Sequence, residues 1–154
     1  MHGKKEEIRG AYLLIVENNS NIKIKIGKNN RDFKKGFYIY CGSGMKNMEK
    51  RIARHFSNNK KLRWHIDYIT TKMSPKIAFA IISDEKIECD VAKIISENFY
   101  PKNDFGSTDC NCKTHLFFSS EDPVEKIKKI LKSCRLNYYL IKAVPIIEQV
   151  KNTD

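Results

Sequence analysis

Hydrophobic and polar positions divide the chain into short strands and amphipathic helices. Gly10 to Glu17 (GAYLLIVE) is a continuous apolar run, which suits a strand buried on both faces. Asn18-Asn19-Ser20-Asn21 has the residues of a turn, so a hairpin is expected to follow. Ile22-Lys23-Ile24-Lys25-Ile26 alternates with period two, placing isoleucines inside and lysines outside. A polar loop holding Gly27, Asn29 and Asn30 then leads into a strand Gly36 to Tyr40 that stops at Gly42-Ser43-Gly44. Three antiparallel strands are thus expected before the first helix.

From Met45 to Phe56 the period becomes helical, with Met45, Met48, Ile52 and Phe56 on one stripe. Lys46, Lys50 and Arg54 project outward, while Arg51 and His55, spaced i and i+4, share the border of core and solvent. Such a pair is either a cleft wall or an ordinary boundary pair. Leu62 to Ile69 has a short apolar pattern that fits helix or strand, and Lys76 to Ile82 (KIAFAII) reads as a strand. Ser83-Asp84-Glu85 offers a cap and an acidic first turn for a helix running to about Phe99. On that helix Glu88 shares the core stripe of Val91, Ala92, Ile95 and Phe99. A carboxylate facing inward must be protonated, paired with a cation such as Arg51, or bound to a metal. Pro101 to Thr114 is irregular, and His115 to Phe118 is a short strand. Asp122-Pro123-Val124-Glu125 opens a capped helix with Val124, Ile127, Ile130 and Leu131 as its buried stripe. Asn137 to Val150 is apolar enough to pack as a strand or arm.

Composition narrows the class. The 154 residues carry 29 Lys+Arg against 18 Asp+Glu, a formal +11, and 41% are hydrophobic. That is enough apolar material for one folded domain, which makes disorder a poor description. The excess charge favours a polyanionic partner, mainly nucleic acid or an acidic membrane face. No run approaches the ~18 apolar residues of a membrane span, and the first residues lack a secretory pattern, so a cytoplasmic protein with no membrane association is expected. Cys110-Asn111-Cys112 with His115 and the upstream Cys89 has ligand types for a structural Zn²⁺ or a disulfide, the alternative being buried thiols in a tight turn. Lys60, Lys61 and Arg63 beside Trp64 suit phosphate contact with base stacking, although exposed loops often share this composition.

In order, the chain offers Gly10-Ala11-Tyr12, then Gly36 to Ser43 (GFYIYCGS), Arg51-Ile52-Ala53-Arg54-His55, Trp64-His65-Ile66-Asp67-Tyr68, Glu88-Cys89 and Phe105 to Cys112 (FGSTDCNC). This series resembles the GIY-YIG nucleases, and more narrowly their Uri branch, whose domains stand alone or are joined to repair glycosylases of endonuclease III type. The resemblance covers about residues 10–118, with 119–154 left as a C-terminal helical extension and arm. It implies an α+β fold, a small central antiparallel sheet flanked by helices, with a one-metal phosphodiesterase site on the sheet. It implies Tyr12 and Tyr40 as the two motif tyrosines, Arg51 on the phosphate, His55 one turn on, and Glu88 as the ligand of Mg²⁺ or Mn²⁺. Gly42 and Ser43 join Lys60, Lys61, Arg63 and Trp64 as expected substrate contacts, and a structural hydrogen-bond pair is expected of His65 and Asp67. The expected function is a metal-dependent DNA endonuclease in repair or recombination, the alternative a DNA-binding module without catalysis. Ala11 and Cys41 depart from the family triplets at core-packing positions, and the Ile22 to Ile26 strand sets the triplets further apart than usual.

Overall fold

The computed structural model describes residues 7–103, 105, 114–142 and 147–152. In chain order the elements are β1 (Gly10–Asn18), β2 (Ile22–Ile26), β3 (Asn29–Phe33), β4 (Gly36–Gly44), α1 (Met48–Phe56), α2 (His65–Lys72), β5 (Ser74–Ile82), α3 (Glu88–Ser96), β6 (Tyr100–Pro101), β7 (Leu116–Ser119), α4 (Val124–Ser133), β8 (Tyr138–Lys142) and β9 (Ile147–Val150). Among the described residues, seven strands form one antiparallel sheet in the order β6-β7-β4-β1-β5-β8-β9, while β2 and β3 make a separate pair. The expected mixed α+β fold, an antiparallel sheet flanked by helices, is therefore the observed one.

The apolar run of β1 lies at the centre because it must bury both faces. Ala11, Leu13 and Ile15 point into one core with Val91, Ala92 and Ile95 of α3 and Ile127 and Leu131 of α4. Tyr12, Leu14 and Val16 point into the other, with Met48 and Ile52 of α1, Ile66 and Ile69 of α2, and Ile24, Ile26 and Phe33 of the β2–β3 hairpin. The strand period of two thus sorts Tyr12 onto the α1/α2 face.

Several local expectations change. The strand β2 does not pair with β1. It pairs with β3, whose sequence Asn29-Asn30-Arg31-Asp32-Phe33 reads as a loop because only Phe33 is buried. The turn between them is two residues long with Gly27 at φ +63, the backbone that a tight hairpin requires of its first central residue. Four strands therefore precede α1. That helix starts at Met48, after Asn47 in a left-handed conformation, instead of at Met45. The ambiguous Leu62 to Ile69 stretch becomes α2. Ser83 caps a short turn by accepting from the Glu85 N–H, so α3 begins five residues later, at Glu88, and ends at Ser96. Asp122 still serves the start of α4, accepting from the Val124 N–H at 3.0 Å, with Pro123 at the cap. Of the strand or arm expected for Asn137 to Val150, the strand is observed, since after α4 the chain returns to the sheet and β8 pairs with β5 and β9 with β8. Among the described residues, no helix is long and apolar enough to cross a membrane.

Candidate active site

Tyr12 and Tyr40 reach the same face from neighbouring strands, because Leu14 pairs with Tyr40 and Tyr12 with Gly42 in the β1–β4 register. Their ring centroids lie 6.2 Å apart. Gly42 is required directly beneath: a Cβ there would overlap Cζ and Oη of the Tyr12 ring. Gly42, expected to touch substrate, makes room for the Tyr12 phenol. Ser43 is likewise used through its backbone, its carbonyl accepting from Arg51 Nη1 at 3.2 Å.

His55 comes up from the last turn of α1. Its side chain is almost wholly buried, deeper than the border position that the helical projection gave it. Its Nε2 lies 2.7 Å from the Tyr12 hydroxyl, and its ring stands edge-on to Tyr40 at 6.0 Å. Nδ1 is buried without a hydrogen-bond partner among the described residues. Phe105, which no periodicity in its irregular segment marks as a site residue, closes the cluster edge-on to Tyr40 at 6.2 Å and to His65 at 6.0 Å.

Burial dominates the protonation of this group. It pushes the Tyr12 phenol well above its ordinary 10, with Tyr40 reinforcing the rise and Arg51 opposing it. Burial also raises Tyr40 far above 10, helped by Cys41 and Glu88 and again opposed by Arg51. For His55, burial and then the Lys60 ammonium hold the imidazole down at about 4. At neutral pH the phenols therefore carry their protons and the imidazole is neutral, so in the tautomer protonated at Nδ1 the Tyr12 O–H donates to Nε2.

A consequence for stability follows from His55. Unfolded, a histidine takes up a proton near 6.5, but folded His55 resists until about 4, so the unfolded state binds more protons between these limits. Stability should fall as pH drops through that window, by about 3 kcal/mol in total. Chemical denaturation at a series of pH values checks this. The non-titrating His55→Gln should flatten the curve above about pH 4, and an unchanged slope would contradict the assignment.

Glu88 lies in the first turn of α3, in the layer opposite α1. The Cys41 thiol donates to the Glu88 carbonyl at 3.4 Å, which ties that turn to β4 beside Tyr40. The carboxylate is 16% exposed and meets His115 Nδ1 through Oε2 at 2.9 Å. His115 is in turn fixed by its own backbone, its carbonyl accepting from the Cys41 N–H at 2.8 Å. The partner that an inward Glu88 requires is thus His115, where the sequence suggested Arg51. Even so, Glu88 and Arg51 both act electrostatically on each of the two phenols.

The basic segment divides by role. Lys60 Nζ caps the end of α1, donating to the Arg54 and His55 carbonyls at 2.9 and 3.2 Å, and burial lowers its pKa. Lys61 and Arg63 are exposed, and Trp64 is 39% exposed. Trp64 lies 4.9 Å from the Arg54 guanidinium and 5.7 Å from that of Arg51, both within cation–π range. Asp67 is the hidden anchor of this region. Its buried Oδ2 accepts from Arg54 Nη2 at 2.6 Å and from the Arg63 and Trp64 N–H groups at 2.8 and 2.9 Å. Burial alone would raise its pKa, but these donors outweigh it and hold the carboxyl below its usual range. The expected pair of His65 with Asp67 is replaced by Arg54–Asp67, with His65 packed on Phe105. Arg54 was read as outward-facing. The signal available was Asp67 at the third position of a helix whose start the pattern left open.

Of the Cys89, Cys110, Cys112 and His115 set, Cys110 and Cys112 lie outside the described residues. Among the described residues no three His, Cys, Asp or Glu side chains group as a metal site.

No curated protein and no solved structure matches the chain. A family model, described as domain of unknown function DUF123, matches residues 11–136, a span that takes in Tyr12, Tyr40, Arg51, His55, Trp64, Glu88 and His115 and stops short of β8. The chain belongs to the DUF123 family.

Proposed function

We propose that the protein is a divalent-metal-dependent DNA endonuclease of the GIY-YIG type, Uri branch, acting in repair or recombination. The observation that carries this reading is the buried 2.7 Å contact of Tyr12 with His55, under Tyr40 and in the field of both Arg51 and Glu88. A phosphodiester repels an anionic nucleophile, so hydrolysis needs cations on its oxygens and a route for the water proton.

Arg51 meets the first need. Its guanidinium can grip phosphate with two parallel N–H groups and offset charge that grows in the transition state. Tyr12 and His55 meet the second. The neutral imidazole takes the Tyr12 proton as Tyr12 takes one from water, so neither phenol has to ionise unaided. Tyr40 orients the water from the adjoining strand.

The metal fits Glu88. Oε2 is held by His115, while Oε1 has no hydrogen bond or ion pair among the described residues, and the side chain as a whole is 16% exposed. A single carboxylate oxygen suits Mg²⁺ or Mn²⁺, which keep most of their waters and bind the substrate phosphate as well. Such an ion supplies Lewis-acid neutralisation of the phosphate and lowers the pKa of bound water. The +11 charge supports DNA as the substrate, and the Uri resemblance supports repair glycosylases of endonuclease III type as partners.

The test is cleavage of nicked, branched and supercoiled DNA with Mg²⁺ or Mn²⁺ and with chelator. The expected result is metal-dependent strand scission that Arg51→Ala lowers by about 10²-fold or more, the scale for losing one preorganised charge donor. Salt-sensitive DNA binding with no scission on any substrate would replace this reading with the non-catalytic module.

A further inference from the structure

We infer that Trp64 is a stacking platform for an unpaired nucleobase, so that the substrate is DNA with single-stranded nucleotides next to the scissile phosphate. The inference rests on the nuclease reading for that phosphate and deepens it. Trp64 is the chain's single tryptophan, and it keeps 39% of its surface in solvent despite two guanidiniums within 6 Å. A tryptophan recruited only to pack would be covered. Leu62, two residues away, is also exposed.

The backbone that carries the platform is anchored: the Trp64 backbone N–H donates to Asp67, and the Arg54 guanidinium behind the ring donates to both Asp67 and the Lys61 carbonyl, at 2.6 and 2.8 Å. A flat aromatic that is held open and backed by cations is what a base face requires, because the stack gains from the π surface and the strand's phosphates meet positive charge. Exposed Lys61 and Arg63 flank it for those phosphates.

Position then selects the substrate. Arg51 lies beside Trp64 and also acts on Tyr12 and Tyr40, so a strand held at Arg51 puts a neighbouring nucleotide within reach of the indole. In duplex DNA the faces of that base are covered by its stacked neighbours. Only an unpaired or flipped base can offer its face to Trp64.

Because the chain has one tryptophan, its fluorescence reports this site alone. The wild-type protein is titrated in chelator with oligo(dT) and, separately, with a blunt duplex of equal phosphate number. Oligo(dT) should quench the emission and the duplex should not. By anisotropy, Trp64→Ala should weaken oligo(dT) binding about ten-fold, Trp64→Phe should retain most of it, and duplex binding should change little. Equal quenching by duplex, or unchanged oligo(dT) affinity in Trp64→Ala, overturns the inference. The quenching readout needs no variant to fold. Working without metal separates the two proposals: selective quenching without later cleavage would sink the nuclease reading alone, and cleavage without selective quenching would sink the platform alone.

Discussion

Glu88→Gln is expected to lower metal-dependent cleavage by about 10³-fold or more while leaving the fold intact. A bound divalent ion contributes several kcal/mol to a phosphoryl transition state, and each ~1.4 kcal/mol is ten-fold in rate. The amide keeps the shape of the side chain, and its oxygen can still accept from His115 Nδ1, 2.9 Å from the carboxylate in the native protein. What it loses is the negative charge that a hard cation needs. Single-turnover cleavage and a thermal melt on the same preparation separate the two effects. A variant that cuts within ten-fold of wild type would mean that Glu88 is only the structural partner of His115.

The largest stability effect is expected at Asp67, not at the residues that do chemistry. Asp67→Ala leaves Arg54, itself 23% exposed, with no carboxylate, and removes the acceptor of two backbone N–H groups. Breaking one side of a buried pair costs roughly 3–5 kcal/mol, which for a chain of this length lowers the melting temperature by on the order of 10 °C. Urea unfolding measures it. Asp67→Asn should lose less, because an amide oxygen can still accept from one or two of the three donors. A loss below about 1 kcal/mol in Asp67→Ala would contradict the idea that this carboxylate organises the start of α2 and, through it, Trp64.

Strong patterns were legible where burial is periodic. The run in β1, the alternation of β2 and the stripes of α3 and α4 all reflect faces that must leave water, and each forms the expected type of element. β3 was missed because one buried residue in five leaves no period to read. The hairpin partner of β2 was misassigned for a related reason: local turn signals say that strands meet, not which ones.

The site was legible in its inventory and less so in its pairings. Arg51 and His55 share a helix turn, which follows from spacing, whereas Tyr12 and Tyr40 were joined by the family resemblance and meet on one face through the β1–β4 register. The inward lean of Glu88 was visible in the α3 stripe, but its partner His115 lies 27 positions away, beyond the reach of periodicity. The depth of His55 was hidden because an imidazole at a helix border can turn either way. Its buried position depends on the Tyr12 hydroxyl, brought there by a strand 43 residues earlier. The Arg54–Asp67 pair escaped because a charged residue such as Arg54 reads as solvent-facing until a specific partner is known, which left His65 as the expected partner of Asp67.

Manganese binding measured by calorimetry on the metal-free protein, with wild type, Tyr12→Phe and Glu88→Gln compared, tests the central claim most directly. The account predicts that wild type binds Mn²⁺, that Tyr12→Phe retains this binding because the phenol handles protons and not the ion, and that Glu88→Gln weakens it at least ten-fold. Equal Mn²⁺ affinity in wild type and Glu88→Gln would contradict it.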